Sequence, residues 1–580
     1  MLKWTQGYRR DDFTADALAA VIVTLMLIPQ SLAYALLAGL PAQAGLYASM
    51  APLIAYALLG SSRVLAVGPV AVVSLMTAAA IGTHAPAGSP QYWEAALALS
   101  AMSGLMLLAM GALRLGFIAN FLSHPVISGF ITASAVLIAA GQLKGLLGIR
   151  ADGQDLLHLL PSLARALPDL HGLTALIGGV TLAWLTFARS RLRGLLMLLG
   201  LARARADLLV KAAPVLAIVV ATALSEALGW AAQGVKVVGH IPAGLPEGSL
   251  PSFDPALWKS LLVPALLISI VGFVESVSVG QTLAAKRRER IEPDQELIAL
   301  GASNLAAAVT SGMPVTGGFA RSVVNFDAGA RSPAAGLMTA AGIALAALLL
   351  TPWLAALPQA VLAATIVIAV LSLVDLSVLS RTWGYSRADF AAVMMTLLGT
   401  LALGVEAGLI AGVATSLVLF LLRTSRPHIA VVGWVPGTEH FRNVRRHEVI
   451  TSPSVLSLRV DESLYFANAR ALEDAVNAAL ARQPELKHVV LMASAINDID
   501  ASALESLKAI EARLAQAGVV LHLSEVKGPV MDRLSRTHFL SGLRGKVYLS
   551  HYQAIEALSP EIFNRQTAVP VHPNHKENPS

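Results

Sequence analysis

From Phe13 to Leu422 the chain alternates apolar runs with short polar links. A straight helix needs ~20 apolar residues to cross a bilayer, and several of these runs are shorter. The pattern predicts about fourteen membrane segments, some of them half-helices. The first group covers 14–37, 43–59, 67–81, 93–112, 125–147, 172–188 and 211–229. The second covers 260–283, 295–310, 318–328, 335–351, 357–374, 387–403 and 405–422. A polar stretch rich in Pro and Gly, 230–259, separates them. Seven segments per half make the second half enter the bilayer from the opposite side, which is an inverted repeat. Two polar interruptions in corresponding places support it weakly. Pro29 precedes a Gly68-Pro69 break by 40 positions, and Glu275 precedes a Gly317-Gly318 break by 42. The first segment is expected to break midway, at Pro29-Gln30-Ser31.

After Glu448 the period changes. VLSLRV alternates as a strand does, 470–481 reads as an amphipathic helix, and HVVLMAS as a buried strand. A helix over 503–517, a strand in VVLHLSEV and a helix near 529–535 follow. Strands alternating with helices mean a small α/β domain. The expected organisation is an N-terminus (1–13), a transmembrane domain (14–425), a linker (426–447), the α/β domain (448–560) and a disordered tail (561–580). His572 and His575 in that tail are not read as a metal site.

Composition agrees with lipid as the solvent. The chain is 56% hydrophobic and 13% charged, about half the charge of a soluble domain, which carries roughly 25%. Mean hydropathy is +0.66. Cysteine is absent, which excludes disulfides, thiolate metal sites and cysteine nucleophiles. The net charge of +6 is not a nucleic-acid signature, because the basic residues cluster between apolar runs. Arg9-Arg10, 191–211, 286–290 and 423–446 all fall on one side when the span number is even, the cytoplasmic side by the positive-inside rule. Both termini are then inside. A cleaved signal is disfavoured by Asp11, Asp12 and Asp16 and by the interruption at Pro29.

The chemistry concentrates where apolar runs break. Gly68-Pro69 and Gly317-Gly318 each interrupt a run and start a fresh short helix. A helix N-terminus at membrane depth offers free N–H groups and about half a positive charge. Two such ends facing each other bind an anion without a full charge. The plainer alternative is that these Gly and Pro residues serve close helix packing. Glu275 lies inside LLVPALLISIVGFVESVSVG, where a carboxylate is costly and usually functional. Protonating it removes both its repulsion of an anion and its desolvation cost; an ion pair with a nearby arginine is the structural alternative. Arg321 is that arginine, one helical turn beyond the second break. Gln30 and Tyr34, four apart, share a helix face. Arg63 is expected in a link near the interface.

Three stretches carry a resemblance: PQSLAYALLAGLPAQAGLYASMAP, GSSRVLAVGPVAVVSLM and SGMPVTGGFARSVVNFDAGARSPAAG. Here the chain resembles the sulfate permease family, whose animal members form solute carrier family 26, over nearly its whole length. The C-terminal part resembles the STAS domain shared with anti-sigma-factor antagonists. The resemblance implies a core of half-helices moving against a gate. It implies an anion held by Gln30, Tyr34, Pro69, Val70, Gly317, Gly318, Phe319, Ala320 and Arg321, with Glu275 handling protons. Sodium-coupled bicarbonate members place a short acidic residue where Glu275 stands and a hydroxyl where Phe319 stands, so the expectation is proton coupling. Family members pair as homodimers. In NDIDASALESL, Ser502 matches a phosphorylatable serine, but Ala503 replaces the usual Gly, which disfavours phosphorylation. His488 and His522 read as ordinary strand residues.

The expectation is a proton-coupled sulfate transporter in a bacterial inner membrane, working by alternating access. It is neither an enzyme nor a nucleic-acid binder and needs no cofactor; the STAS domain offers a docking surface for a cytoplasmic protein. Bicarbonate, chloride or a dicarboxylate are alternative cargoes. An anion-sensing membrane scaffold that signals through the STAS domain is an alternative of a different class.

Overall fold

The computed structural model describes residues 3–5, 8–120, 123–153, 155–563 and 570–571. It divides into two compact units, Met1–Ser416 and Leu417–Ser580.

Each of the fourteen expected segments coincides with a helix, the last of which runs on past Ser416. These are α1 (Arg10–Leu37), α2 (Ala42–Leu59), α3 (Ala71–Ile81), α4 (Pro90–Ala112), α5 (His124–Leu147), α6 (Gly172–Leu198) and α7 (Arg203–Leu228). The second set is α8 (Pro255–Arg287), α9 (Pro293–Val309), α10 (Phe319–Asp327), α11 (Ala334–Leu349), α12 (Gln359–Leu371), α13 (Arg387–Leu403) and α14 (Val405–Ser425). Seven of them are long and apolar enough to span a membrane by themselves. α3 and α10 are not, and each is preceded by a two-residue strand: β1 (Val67–Gly68) and β2 (Thr316–Gly317).

The packing repeats with the halves exchanged. α1 packs on α10 and α11, while α8 packs on α3 and α4. α6 packs on α12, and α13 on α5. α2 meets α9, and α5 meets α12, each its own counterpart. Advancing every helix number by seven maps one set of contacts onto the other, as an inverted repeat requires. α1–α4 with α8–α11 form the core; α5–α7 with α12–α14 form the gate.

One expectation for this unit needs correction. α1 does not break at Pro29; it stays helical from Arg10 to Leu37 with Pro29 buried inside it. Proline removes one hydrogen bond there, and close packing against α2 and α10 to α12 holds the helix. Pro69 stands just before α3, whose N-cap is Val70.

The second unit is a mixed sheet of eight strands: β3 (Ile429–Trp434), β4 (Phe441–Asn443), β5 (Val449–Ile450), β6 (Val455–Val460), β7 (His488–Met492), β8 (Val520–Ser524), β9 (Val547–Tyr548) and β10 (Pro570–Val571). β6 to β9 run parallel in that order, and β3 joins β6 antiparallel. The alternation in VLSLRV sorts its side chains by face. Leu456, Leu458 and Val460 pack with helices Ala469–Arg482 and Ala501–Gln516, whereas Val455 packs with Ala554 and Ile555 of His551–Leu558. The expected linker, 426–447, is part of this fold: β3 and β4 pair with each other, and Ala430, Val432 and Trp434 are buried. Part of the expected tail is folded as well. Pro560–Phe563 forms a 3-10 turn whose Phe563 ring packs on Trp434 at 4.9 Å, and β10 pairs with β5. The other residues of the predicted tail, with His572 and His575, lie outside the described residues.

Candidate functional site

The site follows from two apolar runs that cannot continue as helix. At Gly68-Pro69 the proline supplies no N–H and restricts the residue before it, so the chain stays extended into β1. Gly317 and Gly318 carry no side chain and are poor helix formers, which allows the extended backbone of β2. The two strands meet antiparallel, Val67 opposite Gly317 and Gly68 opposite Thr316, fully buried. α3 leaves one strand after the N-cap Val70, and α10 leaves the other after the N-cap Gly318. The N–H groups of Ala71–Val73 and of Phe319–Arg321 therefore have no carbonyl one turn back to bond. Both helix starts carry partial positive charge at one strand crossing.

Arg321 lies across that crossing. It is 2% exposed. Its Nη2 donates to Gly68 O at 2.7 Å and Thr316 O at 3.3 Å, while Nε and Nη1 have no partner. An unpartnered buried guanidinium nitrogen is costly, and a bound anion satisfies two at once. The ion pair with Glu275 is absent: among the described residues no carboxylate lies within 4.0 Å of Arg321. Glu275 instead faces a void of 20 Å³ bounded by Val72 of α3, Phe130 and Ile131 of α5, and Leu409 of α14. The carboxyl thus sits between core and gate, beside room for one water.

The remaining predicted residues divide. Tyr34 and Val70 are buried, and Gln30 is half-buried. Phe319 is 47% exposed, and Ala320 beside it is also exposed. The α10 start is therefore open on one side, while the α3 start is covered. Arg63 lies in the link before β1, paired with Glu289 at 3.7 Å. A separate cavity of 500 Å³ lies between core and gate at the C-terminal ends of α1, α3 and α5. Leu36, Ala78, Gln142, Lys144 and Gln359 are among its lining, and it touches neither strand, Arg321 nor Glu275.

Sequence reasoning missed the polar residues that hold the crossing. Ser276 Oγ accepts from Gly317 N at 2.8 Å and shares a hydrogen bond with Thr316 Oγ1 at 2.7 Å, tying β2 to α8. Asn304 of α9 accepts from Val315 N at 3.0 Å and donates to Val315 O at 2.9 Å. Ser322 accepts from Ala66 N, and Asn325 donates to Val64 O, both at 3.0 Å, tying α10 to the strand of the other half. Two fully buried carboxylates clamp the links. Glu296 accepts from Tyr56 Oη, from Ser61 N and Oγ, and from Ser62 N; Asp16 accepts from Tyr8 Oη, from Arg331 N, and from Ser332 N and Oγ. The available signal was a polar residue inside an apolar run, the one that singled out Glu275 but was not applied to its neighbour Ser276.

In the STAS-like unit, Ser502 is exposed in the first turn of Ala501–Gln516, whose N-cap Asp500 accepts from Ala503 N at 2.8 Å. His488 and His522 are strand residues, with Nδ1 and Nε2 3.2 Å apart.

Paired discontinuous helices in an inverted repeat, with an arginine at their crossing, define a multi-pass membrane protein of the secondary-transporter class. The chain belongs to the sulfate permease family, which residues 13–396 match, and carries a STAS domain over 446–554. That family is made up of transporters, and the chain is not an enzyme. Sulfate transporter 4.1, chloroplastic, of Arabidopsis thaliana is 36% identical over 92% of this chain and 78% of its own length. Probable sulfate transporter Rv1739c of Mycobacterium tuberculosis is 32% identical over 95% and 96%. The fold also matches SLC26A9, with a TM-score of 0.87 at 22% identity over 97% of this chain and 93% of that one. The transmembrane domain of the cyanobacterial bicarbonate transporter BicA covers 70% of this chain and 98% of its own length, with a TM-score of 0.59 at 21% identity.

Proposed function

We propose that this chain carries sulfate, together with a proton, across a bacterial inner membrane by alternating access, with both termini cytoplasmic. The observation that carries this reading is Arg321, buried at two helix starts with two nitrogens unpartnered. A tetrahedral oxyanion there accepts from Nε and Nη1 and from the free N–H groups of Phe319 and Ala320. Gln30 and Tyr34 close the pocket from α1. The names of the Arabidopsis and mycobacterial relatives supply the cargo.

Glu275 supplies the coupling in this reading. As a carboxylate it repels an approaching anion across a region of low dielectric; as an acid it does not. Its place between core and gate lets the proton and the anion cross in one step as the core slides. The pairing of two such chains, as in related transporters, is part of the same proposal.

The experiment is labelled sulfate uptake into proteoliposomes under an imposed pH gradient, with bicarbonate and succinate as competitors. Glu275→Gln is expected to carry sulfate at a rate independent of the gradient. Retained pH coupling in that variant removes Glu275 from the proton role. Binding of sulfate with no flux in the wild type turns the reading into that of a sensor.

A further inference from the structure

The basic run that follows the last membrane helix was read above only as a marker of topology, but in the STAS unit part of it converges. His428 precedes β3, Arg442 lies in β4, and Arg446 and His447 lie in the turn after it. That turn is fixed by its own backbone: Arg446 N and His447 N donate to Asn443 O at 3.0 and 3.1 Å, and Arg445 N donates to Asn443 Oδ1 at 2.8 Å. Val444 N donates to Val431 O at 3.1 Å, so the start of the turn continues the β3 and β4 ladder. Together with Arg459 and Asp461 at the end of β6, these side chains line a pocket of 340 Å³.

The charges within it are unequally satisfied. Asp461 takes Arg459, Nε to Oδ1 at 2.5 Å, and His428, Nδ1 to Oδ2 at 2.7 Å. The side chains of Arg442, Arg446 and His447 have no hydrogen-bond or ion-pair partner among the described residues. One carboxylate therefore faces three arginines. An adjoining pocket of 370 Å³ shares Arg442, Arg459 and Asp461 and adds Glu439 and Glu525. Surplus cation beside a rigid turn and a concave wall is the arrangement that guanidinium forks use for tetrahedral oxyanions.

We propose that this pocket binds a phosphate group. Two sources share that chemistry: the headgroup of an anionic phospholipid and a soluble phosphate. The lipid source is within reach of the chain, since His428 follows Ser425, the end of α14, by only three residues. Juxtamembrane arginine clusters favour anionic headgroups by about 1 kcal/mol per residue near the surface. The site is remote in sequence from the strand crossing and independent of what is carried.

The test is hydrogen exchange of the full-length protein in nanodiscs, read on peptides covering 428–447. One arm adds inorganic phosphate to discs of phosphatidylcholine; the other replaces half of that lipid with phosphatidylglycerol. Slowed exchange in the first arm assigns a soluble phosphate, and in the second a headgroup. The Arg442→Ala/Arg446→Ala variant is expected to weaken the effective midpoint about tenfold, from two partly exposed ion pairs. Arg442→Lys/Arg446→Lys is expected to keep most of the protection, and exchange in β7 and β8 should be unchanged in both variants. Unaltered exchange of the wild type in both arms overturns the proposal, as does equal protection in the alanine variant.

Discussion

Gly318 stands where a methyl group has no room. A Cβ built there falls 2.5 Å from Arg321 Nε and 2.9 Å from Nη2, well inside ordinary carbon–nitrogen contact. In Gly318→Ala the guanidinium must therefore move off the crossing. Moving it breaks the Nη2 bond to Gly68 O, 2.7 Å long, and turns Nε away from the proposed anion position. Charge-assisted bonds of this kind contribute about 1.5–3 kcal/mol each, so losing one weakens sulfate binding roughly 10- to 150-fold. The control is Gly336→Ala in α11, whose Cβ would meet only Leu53 Cδ2 at 3.8 Å, an ordinary contact. Initial rates of labelled sulfate uptake over a range of concentrations should give Gly318→Ala a raised KM, with Gly336→Ala close to wild type. Equal KM values in the two variants would refute the role assigned to Arg321, provided both proteins reconstitute with similar yield.

Three further predictions test the scaffold. Glu296→Gln replaces an acceptor of four hydrogen bonds with an amide whose NH2 faces donors; it should cost about 3 kcal/mol and lower the melting temperature in detergent, whereas an unchanged melt contradicts the clamp. Gly45→Ala drives a Cβ to 1.9 Å from Ser31 O where α1 crosses α2, and reduced yield of folded protein on size exclusion is the expected result. In the STAS domain His551 is buried between Ser524 Oγ at 2.8 Å and Ser457 Oγ at 2.9 Å, and burial pushes its pKa down to about 4. The unfolded chain then binds the extra proton first, so the stability this histidine contributes is present above about pH 6.5 and drains away as pH falls toward 4. Hydrogen exchange in β6 and β8 should accelerate across that window, and His551→Gln should flatten the dependence.

Period and breaks carried most of the membrane fold. Apolar runs of the right length located all fourteen helices, and the breaks at Gly68-Pro69 and Gly317-Gly318 located the starts of the short helices α3 and α10, but not the strands that precede them. Pro29 misled for the opposite reason: a local helix breaker was overruled by packing on neighbouring helices, which no single segment reveals. The linker was misread because β3 owes its place to pairing with β6 and β4 to pairing with β3, across the sheet, while the basic residues Arg442, Arg445 and Arg446 suggest a solvated connection. Arg321 and Glu275 were legible as isolated charges in apolar runs. That they do not pair, and that Ser276, Asn304 and Ser322 hold the crossing, depends on contacts between distant helices, which period alone does not encode.

Transport by this route requires an oxyanion bound between two helix starts. Diffraction from crystals soaked in selenate, at the selenium edge, reads that position directly. The predicted result is one anomalous peak within hydrogen-bond distance of Arg321 Nε and Nη1 and of the Phe319 and Ala320 amides. A peak confined to the 500 Å³ cavity near Lys144, with none at the strand crossing, would contradict it.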